Sequence, residues 1–283
     1  MRIIRDPQAC QRLTSRWRRA SKTLGFVPTM GALHAGHLAL LKRARRETDR
    51  VVASIFVNPL QFNQRQDYTH YPRTLEADVR LARAAGVDLL FVPSVHDLYP
   101  PDFQTSVEVT SVTRRWEGAA RPGHFRGVTT IVAKLFHLVQ PTLAYFGEKD
   151  AQQARTIQQM VRDLNWPLAV LVVPTVRESD GLAMSSRNLR LSTTERQAAL
   201  VVFHALQAGR RLIESGVRRR ETVLRRIGDR VRREPRARLE YAAIVDPETL
   251  EPVVQIRGSI RLLIAAWVGS VRLIDTILVN AKG

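Results

Sequence analysis

A pair of histidines three residues apart, His34 and His37, stands in the stretch PTMGALHAGH at residues 28–37. Two imidazoles aimed at a phosphate site can donate hydrogen bonds to oxygens that gain charge during phosphoryl or nucleotidyl transfer. Gly31 and Gly36 let the backbone approach a ligand closely, and a helix that begins here would add unpaired N–H groups and a positive dipole end. A metal site is the alternative, but no third ligand lies nearby in the sequence.

Amide and basic side chains recur at other predicted turns. In FVNPLQF (56–62), Asn58 and Gln61 follow a predicted strand and can orient hydroxyl and carboxylate groups without adding charge. In RPGHFRGV (121–128), Arg121 brings a basic group into a turn before a predicted helix. The alternative for this second segment is an exposed loop with a glycine-assisted helix start.

A lysine stands at another turn, in FGEKDAQQ (146–153). The ammonium of Lys149 suits a point-charge contact with phosphate, and Asp150 could hold a metal–nucleotide complex. Gln153 lies one helical turn further and faces the same ligand. Surface charges that bind nothing are the alternative here.

A third polar turn, DGLAMSSRN (180–188), places two hydroxyl groups beside the guanidinium of Arg187. This combination predicts a mobile phosphate clamp. Serine-rich segments are also common in ordinary turns, so the functional interpretation depends on its position at a predicted domain junction.

The elements that must position these residues alternate through the first two-thirds of the chain, and such alternation predicts a parallel sheet covered by helices. The predicted strands are Leu24–Val27, Val51–Val57, Asp88–Val92, Leu143–Phe146 and Leu168–Val173. The predicted helices lie near 38–47, 74–85, 127–139 and 150–163. The alternating segment Thr105–Val109 predicts a short extra strand, and Met1–Thr23 is expected to be part of the fold.

The pattern changes after about Arg177. Ser192 and Glu195 form a capping-box pattern before a long predicted helix, and an Arg-rich helix follows from about Arg218 to Arg233. Three strand-like segments come next, at Leu239–Asp246, Arg261–Trp267 and Val271–Val279, with a turn after the first. We therefore predict an α/β fold: a Rossmann-like domain at 1–177 and a smaller α+β lid domain at 178–283.

The chain carries a formal charge of +18, and of its 44 basic residues only five are lysine. Because arginine dominates throughout the chain, we interpret the clusters Arg16–Arg19, Lys42–Arg46 and Arg218–Arg236 as solvated helix faces, with polyanion binding as the alternative. The single cysteine, Cys10, excludes an internal disulfide and favours a reducing cytoplasm. No apolar run approaches the roughly 20 residues of a membrane span.

Taken together, these segments resemble the pantothenate synthetase (pantoate–β-alanine ligase) family. PTMGALHAGH, FVNPLQF, YPRT, RPGHFRGV, FGEKDAQQ and VRESDGLAMSSRN occur in that family's order and spacing. The similarity covers nearly the whole chain and is weaker after about residue 190. The family belongs to the HIGH-motif nucleotidyltransferase superfamily.

The resemblance implies an ATP-dependent ligation in two steps, with ATP as cosubstrate and Mg²⁺ as its companion ion. (R)-Pantoate would attack the α-phosphate of ATP to give pantoyl adenylate and pyrophosphate. The amine of β-alanine would then displace AMP and give pantothenate. The resemblance also implies a cytoplasmic homodimer with no specific nucleic acid and no membrane as partner.

The resemblance also assigns roles residue by residue. The expected catalytic residues are His37, which is the family's assigned proton donor, His34, Lys149 and Arg187. The expected ATP-binding residues are Met30, Gly31, His34, His37, Gly147, Glu148, Lys149, Asp150, Val176, Met184, Ser185, Ser186 and Arg187. The resemblance gives Gln61 and Gln153 as substrate-binding residues, to which the predicted turns add Asn58 and Arg121, and Asp78 is the expected magnesium ligand.

The sequence departs from the family's pattern at Gln66, Ala151 and Thr276, none of which is an expected phosphate contact. Two other functions remain open at this point. Another HIGH-type nucleotidyltransferase would explain His34 and His37 but not the pair of glutamines at 61 and 153. A basic nucleic-acid-binding protein would bind DNA or RNA with a steep salt dependence and would not need Lys149.

Overall fold

The alternation of apolar runs and helical segments produces a six-stranded parallel sheet in the computed structural model, which describes residues 1–281. Its strands are β1 (Arg2–Ile4), β2 (Leu24–Thr29), β3 (Arg50–Ile55), β4 (Leu89–Phe91), β5 (Leu143–Gly147) and β6 (Ala169–Val173). They lie in the order β1–β4–β3–β2–β5–β6. The chain adds strands on one side of β2 and later on the other, so a topological switch point lies between β2 and β5. Ligands of open parallel sheets bind beyond the carboxyl ends of the strands at such a point.

Both faces of this sheet are covered by helices. These are α1 (Pro7–Arg19), α2 (Ala35–Glu47), α3 (Arg65–Thr69), α4 (Leu75–Ala84), α5 (Val95–Leu98), α6 (Glu117–Ala120), α7 (His124–Val139) and α8 (Ala151–Asp163). Phe26 and Val27 are adjacent in β2 and fully buried, yet Phe26 packs with residues of α1, α7 and α8 while Val27 packs with α2 and α4. Burial on both faces explains why the strand sequences are almost continuously apolar.

The five strands predicted from the sequence are confirmed as β2 to β6, and the parallel sheet is confirmed with them. The N-terminal elements β1 and α1 were missed, and so were the short helices α3, α5 and α6. The extra strand predicted at Thr105–Val109 is wrong: the segment is a loop. Its Val107 N–H donates to Thr130 Oγ1, and its carbonyl accepts from Thr129 Oγ1, so helix α7 satisfies this backbone where a neighbouring strand was expected.

The second part of the chain contains helices α9 (Thr193–Ala198), α10 (Leu200–Glu214) and α11 (Arg220–Arg232) and an antiparallel sheet of β7 (Ala237–Val245), β8 (Gly258–Val268) and β9 (Val271–Ala281). The predicted capping box is confirmed, since Ser192 Oγ accepts the Glu195 N–H and Glu195 accepts the Ser192 N–H. The single long helix predicted after it is divided at Ala199, which keeps helical dihedral angles. The helices and one sheet face enclose a separate apolar core.

The chain divides into two compact units: residues 1–148 with 152–174, and residues 149–151 with 175 onward. The sequence placed its domain boundary between residues 177 and 178, three residues later, and kept 149–151 in the first domain. The last two residues of the predicted second domain lie outside the described range. Within 1–281, no helix combines the length and the apolar character that crossing a membrane requires.

Candidate active site

The backbone of the turn between β2 and α2 is held by hydrogen bonds to two side chains, those of Thr29 and Asp78. Thr29 Oγ1 accepts the N–H of Gly31 at 3.1 Å, and the Asp78 carboxylate accepts the N–H groups of Ala32 at 3.0 Å and Leu33 at 2.7 Å. Gly31 and Ala32 are both left-handed, with φ of +83° and +49°. A Cβ on residue 31 would lie 3.0 Å from Asp78 Oδ2, so both conformation and space favour glycine there. These contacts fix the shape of the turn.

Asp78 thus has a structural role that the sequence did not predict. Asp78 is 1% exposed. Its Oδ1 also accepts a hydrogen bond from the Thr74 hydroxyl at 3.2 Å. Three hydrogen bonds from the protein use this carboxylate, so it holds the histidine turn, and its expected role as a magnesium ligand stays a prediction. Among residues 1–281 no three His, Cys, Asp or Glu side chains are grouped to hold a metal.

The two histidines cap helix α2 with their own rings. Nδ1 of His34 accepts the N–H of Gly36 at 3.1 Å, and Nδ1 of His37 accepts the N–H of His34 at 3.3 Å. Because a backbone N–H can only donate, neither Nδ1 carries a proton, and each neutral ring is protonated at Nε2. The ring centroids are 4.1 Å apart, so the rings lie side by side.

This arrangement changes how the turn can bind a phosphate. The sequence predicted that backbone N–H groups at the start of the helix would be donors to phosphate. The N–H groups of residues 31–34 and 36 donate instead to side chains of the turn and of Asp78. The side-chain donors that this turn carries are the imidazole Nε2–H groups of the two histidines.

Three of the expected substrate residues, together with the expected ATP-binding residue Met30, are brought together beside this turn. The Nδ2 of Asn58 donates to Gln61 Oε1 at 3.0 Å, and the Nε2 of Gln61 donates to the sulfur of Met30 at 3.0 Å. Arg121 Nη2 donates to the main-chain carbonyl of Gln61 at 3.1 Å. Met30, Asn58, Gln61 and Arg121 therefore form one hydrogen-bonded cluster.

The contacts of Asn58 in this cluster differ from those predicted. The residue is 1% exposed, and its Oδ1 accepts the Leu60 N–H and the Tyr99 hydroxyl. Its Nδ2 donates to the Gly127 carbonyl as well as to Gln61. An asparagine amide has two donor hydrogens and one acceptor oxygen, and protein groups occupy all of them. Asn58 therefore orients Gln61, whereas the sequence predicted that it contacts substrate.

His124 is a member of this cluster that the sequence reasoning did not select. Its Nδ1 lies 2.7 Å from the Gln61 carbonyl, and its Nε2 lies 3.1 Å from Arg121 Nη1. A carbonyl only accepts and a guanidinium only donates, so the ring is neutral with its proton on Nδ1. The signal was present, since His124 lies within RPGHFRGV next to the selected Arg121. Gly127 of the same motif lets α7 approach, because a Cβ there would lie 2.3 Å from the Leu60 carbonyl oxygen.

The predicted nucleotide segment after β5 is divided between the two units. Gly147 ends β5 and Glu148 follows it in the first unit, while Lys149 and Asp150 belong to the second. The Lys149 side chain is 16% exposed, and its Nζ lies 3.7 Å from the Asp150 carboxylate. A largely buried ammonium beside a carboxylate is a fixed point charge.

Gln153 is half-buried in the first turn of α8. Its neighbour Gln152 is buried and uses its whole amide in the protein: it accepts the Glu117 N–H and donates to the carbonyls of Val112 and Arg115. Of these two adjacent glutamines, Gln152 therefore has a structural role, and its amide stabilises the loop of residues 112–117.

In the second unit, residues 176–184 form a tight hairpin. The Met184 N–H donates to the Val176 carbonyl, and Arg196 pairs with Glu178 and Asp180 on the outer part of the hairpin. The Arg196 contact holds the pKa of the Asp180 carboxyl below its usual value, against the effect of burial. Gly181 has φ +98°, and a Cβ there would lie 2.1 Å from the Phe203 ring, so the turn requires glycine.

The Met184–Arg187 segment follows this hairpin directly. Ser185 Oγ accepts the Arg187 N–H at 3.2 Å and caps a short 3₁₀ helix that begins at Ser186. Ser186 is buried, while Met184, Ser185 and Arg187 are half-buried. The backbone of the predicted phosphate clamp is therefore ordered by its own first serine.

Comparison with known proteins identifies the family of this chain. The model of the family described as Pantoate-beta-alanine ligase matches residues 2–278. A pantothenate synthetase of Heliobacterium modesticaldum is 50% identical over 280 residues, which cover 99% of this chain and all of that protein. The crystal structure of pantothenate synthetase from Thermus thermophilus matches with a TM-score of 0.93 and 50% identity, covering 98% of this chain and 99% of that chain.

A more distant structure extends the comparison. The pantoate-beta-alanine ligase from Francisella tularensis, described as complexed with Beta-gamma ATP and Beta-alanine, has a TM-score of 0.82 and 35% identity. It covers 98% of this chain and 97% of its own. With a family match along nearly the whole chain and full-length relatives at this identity, the chain belongs to the pantoate–β-alanine ligase family, whose members are pantothenate synthetases.

Proposed function

We propose that this enzyme forms pantothenate from (R)-pantoate and β-alanine through a pantoyl adenylate, consuming ATP and releasing pyrophosphate and AMP. The observation that carries the proposal is the histidine turn, where capping through Nδ1 leaves His34 and His37 with their protons on Nε2. The Francisella tularensis relative was crystallised with an ATP ligand and β-alanine, which supports the same two substrates here.

In the first step, a carboxylate oxygen of pantoate attacks the α-phosphorus of ATP. The bond from this phosphorus to the bridging oxygen breaks, and pyrophosphate leaves with the electron pair. The Nε2–H groups of His34 and His37 donate to phosphate oxygens that gain charge, and Lys149 and Arg187 neutralise negative charge on the phosphates. A carboxylate is already ionised near neutral pH, so this step needs no general base.

Magnesium enters as part of the ATP substrate. A Mg²⁺ ion on ATP is coordinated mainly by phosphate oxygens and water and needs few protein ligands. This agrees with an Asp78 carboxylate that is already used by Ala32, Leu33 and Thr74.

In the second step, the amine of β-alanine attacks the acyl carbon of the adenylate. The bond from this carbon to the AMP oxygen breaks, AMP leaves with the electron pair, and the new amide nitrogen loses a proton. Gln61 and Gln153 hold pantoate, with Gln61 near the incoming amine. Residues 147–150, Val176 and the Met184–Arg187 segment bind the nucleotide.

We also infer that the enzyme is a cytoplasmic homodimer, as the family resemblance implies. Light scattering coupled to size-exclusion chromatography measures the mass directly. The chain has a mass of 32.0 kDa. A peak at twice that mass supports the inference, and a peak at the chain mass overturns it.

The test of function is pyrophosphate release from Mg-ATP in the presence of pantoate, with and without β-alanine. We expect release that depends on pantoate, and sustained turnover to pantothenate and AMP only when β-alanine is present. Folded protein that binds ATP but releases no pyrophosphate with pantoate would contradict the assigned substrate. Pyrophosphate release that requires β-alanine would contradict the order of the steps.

A further inference from the structure

The amide of Asn58 has only one orientation that satisfies its neighbours. The Gly127 carbonyl can only accept a hydrogen bond, so Nδ2 faces it, at 3.0 Å. The Leu60 N–H can only donate, so Oδ1 faces it, at 3.3 Å. The Tyr99 hydroxyl lies 3.0 Å from the same Oδ1 and therefore donates to it. Main-chain groups and one phenol thus fix the polarity of this buried amide.

The orientation of Gln61 follows from that of Asn58. The second Nδ2 hydrogen of Asn58 requires an acceptor, so Oε1 of Gln61 faces it at 3.0 Å. The nitrogen of Gln61 is then directed to the opposite side, where its partner in the described structure is the sulfur of Met30 at 3.0 Å. A thioether is a weak acceptor, and an oxygen of a bound substrate can readily replace it. Gln61 is therefore set to act as a hydrogen-bond donor.

The Tyr99 hydroxyl, which donates to Asn58, is held in place by packing of the Tyr99 ring. Tyr99 lies between Phe56 and Phe103, with centroid distances of 6.0 and 5.1 Å. The ammonium of Lys134 lies 5.8 Å from the Tyr99 centroid and 4.4 Å from that of Phe103. Burial of Lys134 lowers its pKa, and burial of Tyr99 raises the pKa of its phenol, which stays protonated and can donate.

We propose that Tyr99 is a positioning residue for pantoate binding: through Asn58, its hydroxyl keeps the nitrogen of Gln61 directed toward an oxygen of pantoate. This inference rests on the proposed function, in which Gln61 holds pantoate. Tyr99 itself lies outside the motifs that carry the family resemblance. Its effect is relayed by two neutral hydrogen bonds, so it concerns substrate affinity and not the chemical step.

The test compares Tyr99→Phe with Tyr145→Phe. Tyr145 is a matched control, because its hydroxyl donates to Glu47 at 3.0 Å and its ring packs in the apolar cluster on the opposite sheet face. Loss of one neutral hydrogen bond of typical strength corresponds to about three- to tenfold in affinity. We expect Tyr99→Phe to lower kcat/KM for pantoate by that factor through a higher KM at unchanged kcat, with KM for ATP and the melting temperature matching those of Tyr145→Phe.

A double-mutant cycle tests whether Tyr99 acts through Gln61. In a Gln61→Ala background, Tyr99→Phe should change kcat/KM for pantoate by less than about twofold, because the relayed contact is already absent. An unchanged kcat/KM in Tyr99→Phe alone, an equal loss in Tyr145→Phe, or a full loss in the Gln61→Ala background would each overturn the inference. Wild-type enzyme measured in parallel separates these results from failure of the proposed function, since wild type must first show pantoate-dependent pyrophosphate release.

Discussion

The guanidinium of Arg177 and the carboxylate of Asp275 form a two-point ion pair inside the second unit, with Nη1–Oδ2 and Nη2–Oδ1 distances of 2.6 and 3.0 Å. Asp275 is 3% exposed on β9, and Arg177 stands at the base of the hairpin that leads to the Met184–Arg187 segment. Arg177 also donates to the Gly181 carbonyl and packs on the Phe203 ring. One side chain thus joins the hairpin to the sheet.

Asp275→Asn should destabilise the second unit, because it leaves the Arg177 charge without its buried partner. Loss of one member of a buried pair costs about 3–5 kcal/mol, and we expect about 3 kcal/mol since Arg177 is partly exposed. Urea unfolding followed by circular dichroism measures the change. Glu214→Gln is the control: it breaks the exposed pair with Arg210 and should cost less than about 0.5 kcal/mol. An equal loss in the free energy of unfolding for the two variants would show that the buried pair stabilises the protein no more than the exposed pair does.

His37→Asn separates the capping role of this histidine from its chemical role. The Oδ1 of asparagine can replace Nδ1 as acceptor of the His34 N–H, while the Nε2–H donor is lost. We expect a melting temperature near that of wild type and adenylation slower by about 10²–10³, typical of a lost donor to developing charge. Single-turnover pyrophosphate release measures this. A normal rate in His37→Asn would rule out the donor role.

Asp78→Asn tests whether this residue holds the turn or a metal. The change places an amide NH₂ where a carboxylate oxygen accepted a backbone N–H, and we expect a loss of about 1–3 kcal/mol in stability with weaker ATP binding. Calorimetry at low and high magnesium concentrations distinguishes the two roles. If Asp78 holds the turn, added magnesium does not restore ATP affinity; full restoration by magnesium would favour a ligand role.

Cys10 should be unreactive in the folded enzyme. Burial, with a smaller contribution from the nearby Asp6 charge, raises the pKa of this thiol to about 12, so the reactive thiolate is scarce at pH 8. The residue is also fully buried in the core. A colorimetric disulfide reagent at pH 8 should therefore label no thiol in native protein and one thiol after denaturation in urea. Rapid stoichiometric labelling of the native enzyme would contradict this packing.

The sequence predicted the main sheet, and it located the candidate site motifs at strand ends, for a physical reason. Continuous apolar strands and glycine-rich turns with His34, Gln61 and Lys149 are local patterns, and parallel topology brings strand ends to a common edge. Contacts between distant segments leave no such pattern. Asp78 reaches Ala32 across 46 positions, and His124 reaches Gln61 across 63. These partners, and hence the roles of Asp78 and Asn58, emerge only when the chain is folded.

The short strand β1 at the edge of the sheet was also not predicted from the sequence. β1 has three residues, two of them exposed, and it pairs only with β4. An isolated segment of that length shows neither alternation nor a buried run. The opposite error occurred at Thr105–Val109, where alternation was present but Thr129 and Thr130 of α7 supply the hydrogen bonds that a strand would have needed.

The fastened turn of residues 29–33 has a consequence for the thermodynamics of nucleotide binding. A flexible phosphate-binding loop loses conformational entropy when its ligand arrives, about 1–2 kcal/mol for each residue that becomes ordered. Here the Thr29 and Asp78 hydrogen bonds order the turn during folding, together with the left-handed Ala32. The empty and nucleotide-bound enzymes should therefore share one backbone conformation in this turn, and ATP affinity should not carry that entropic penalty.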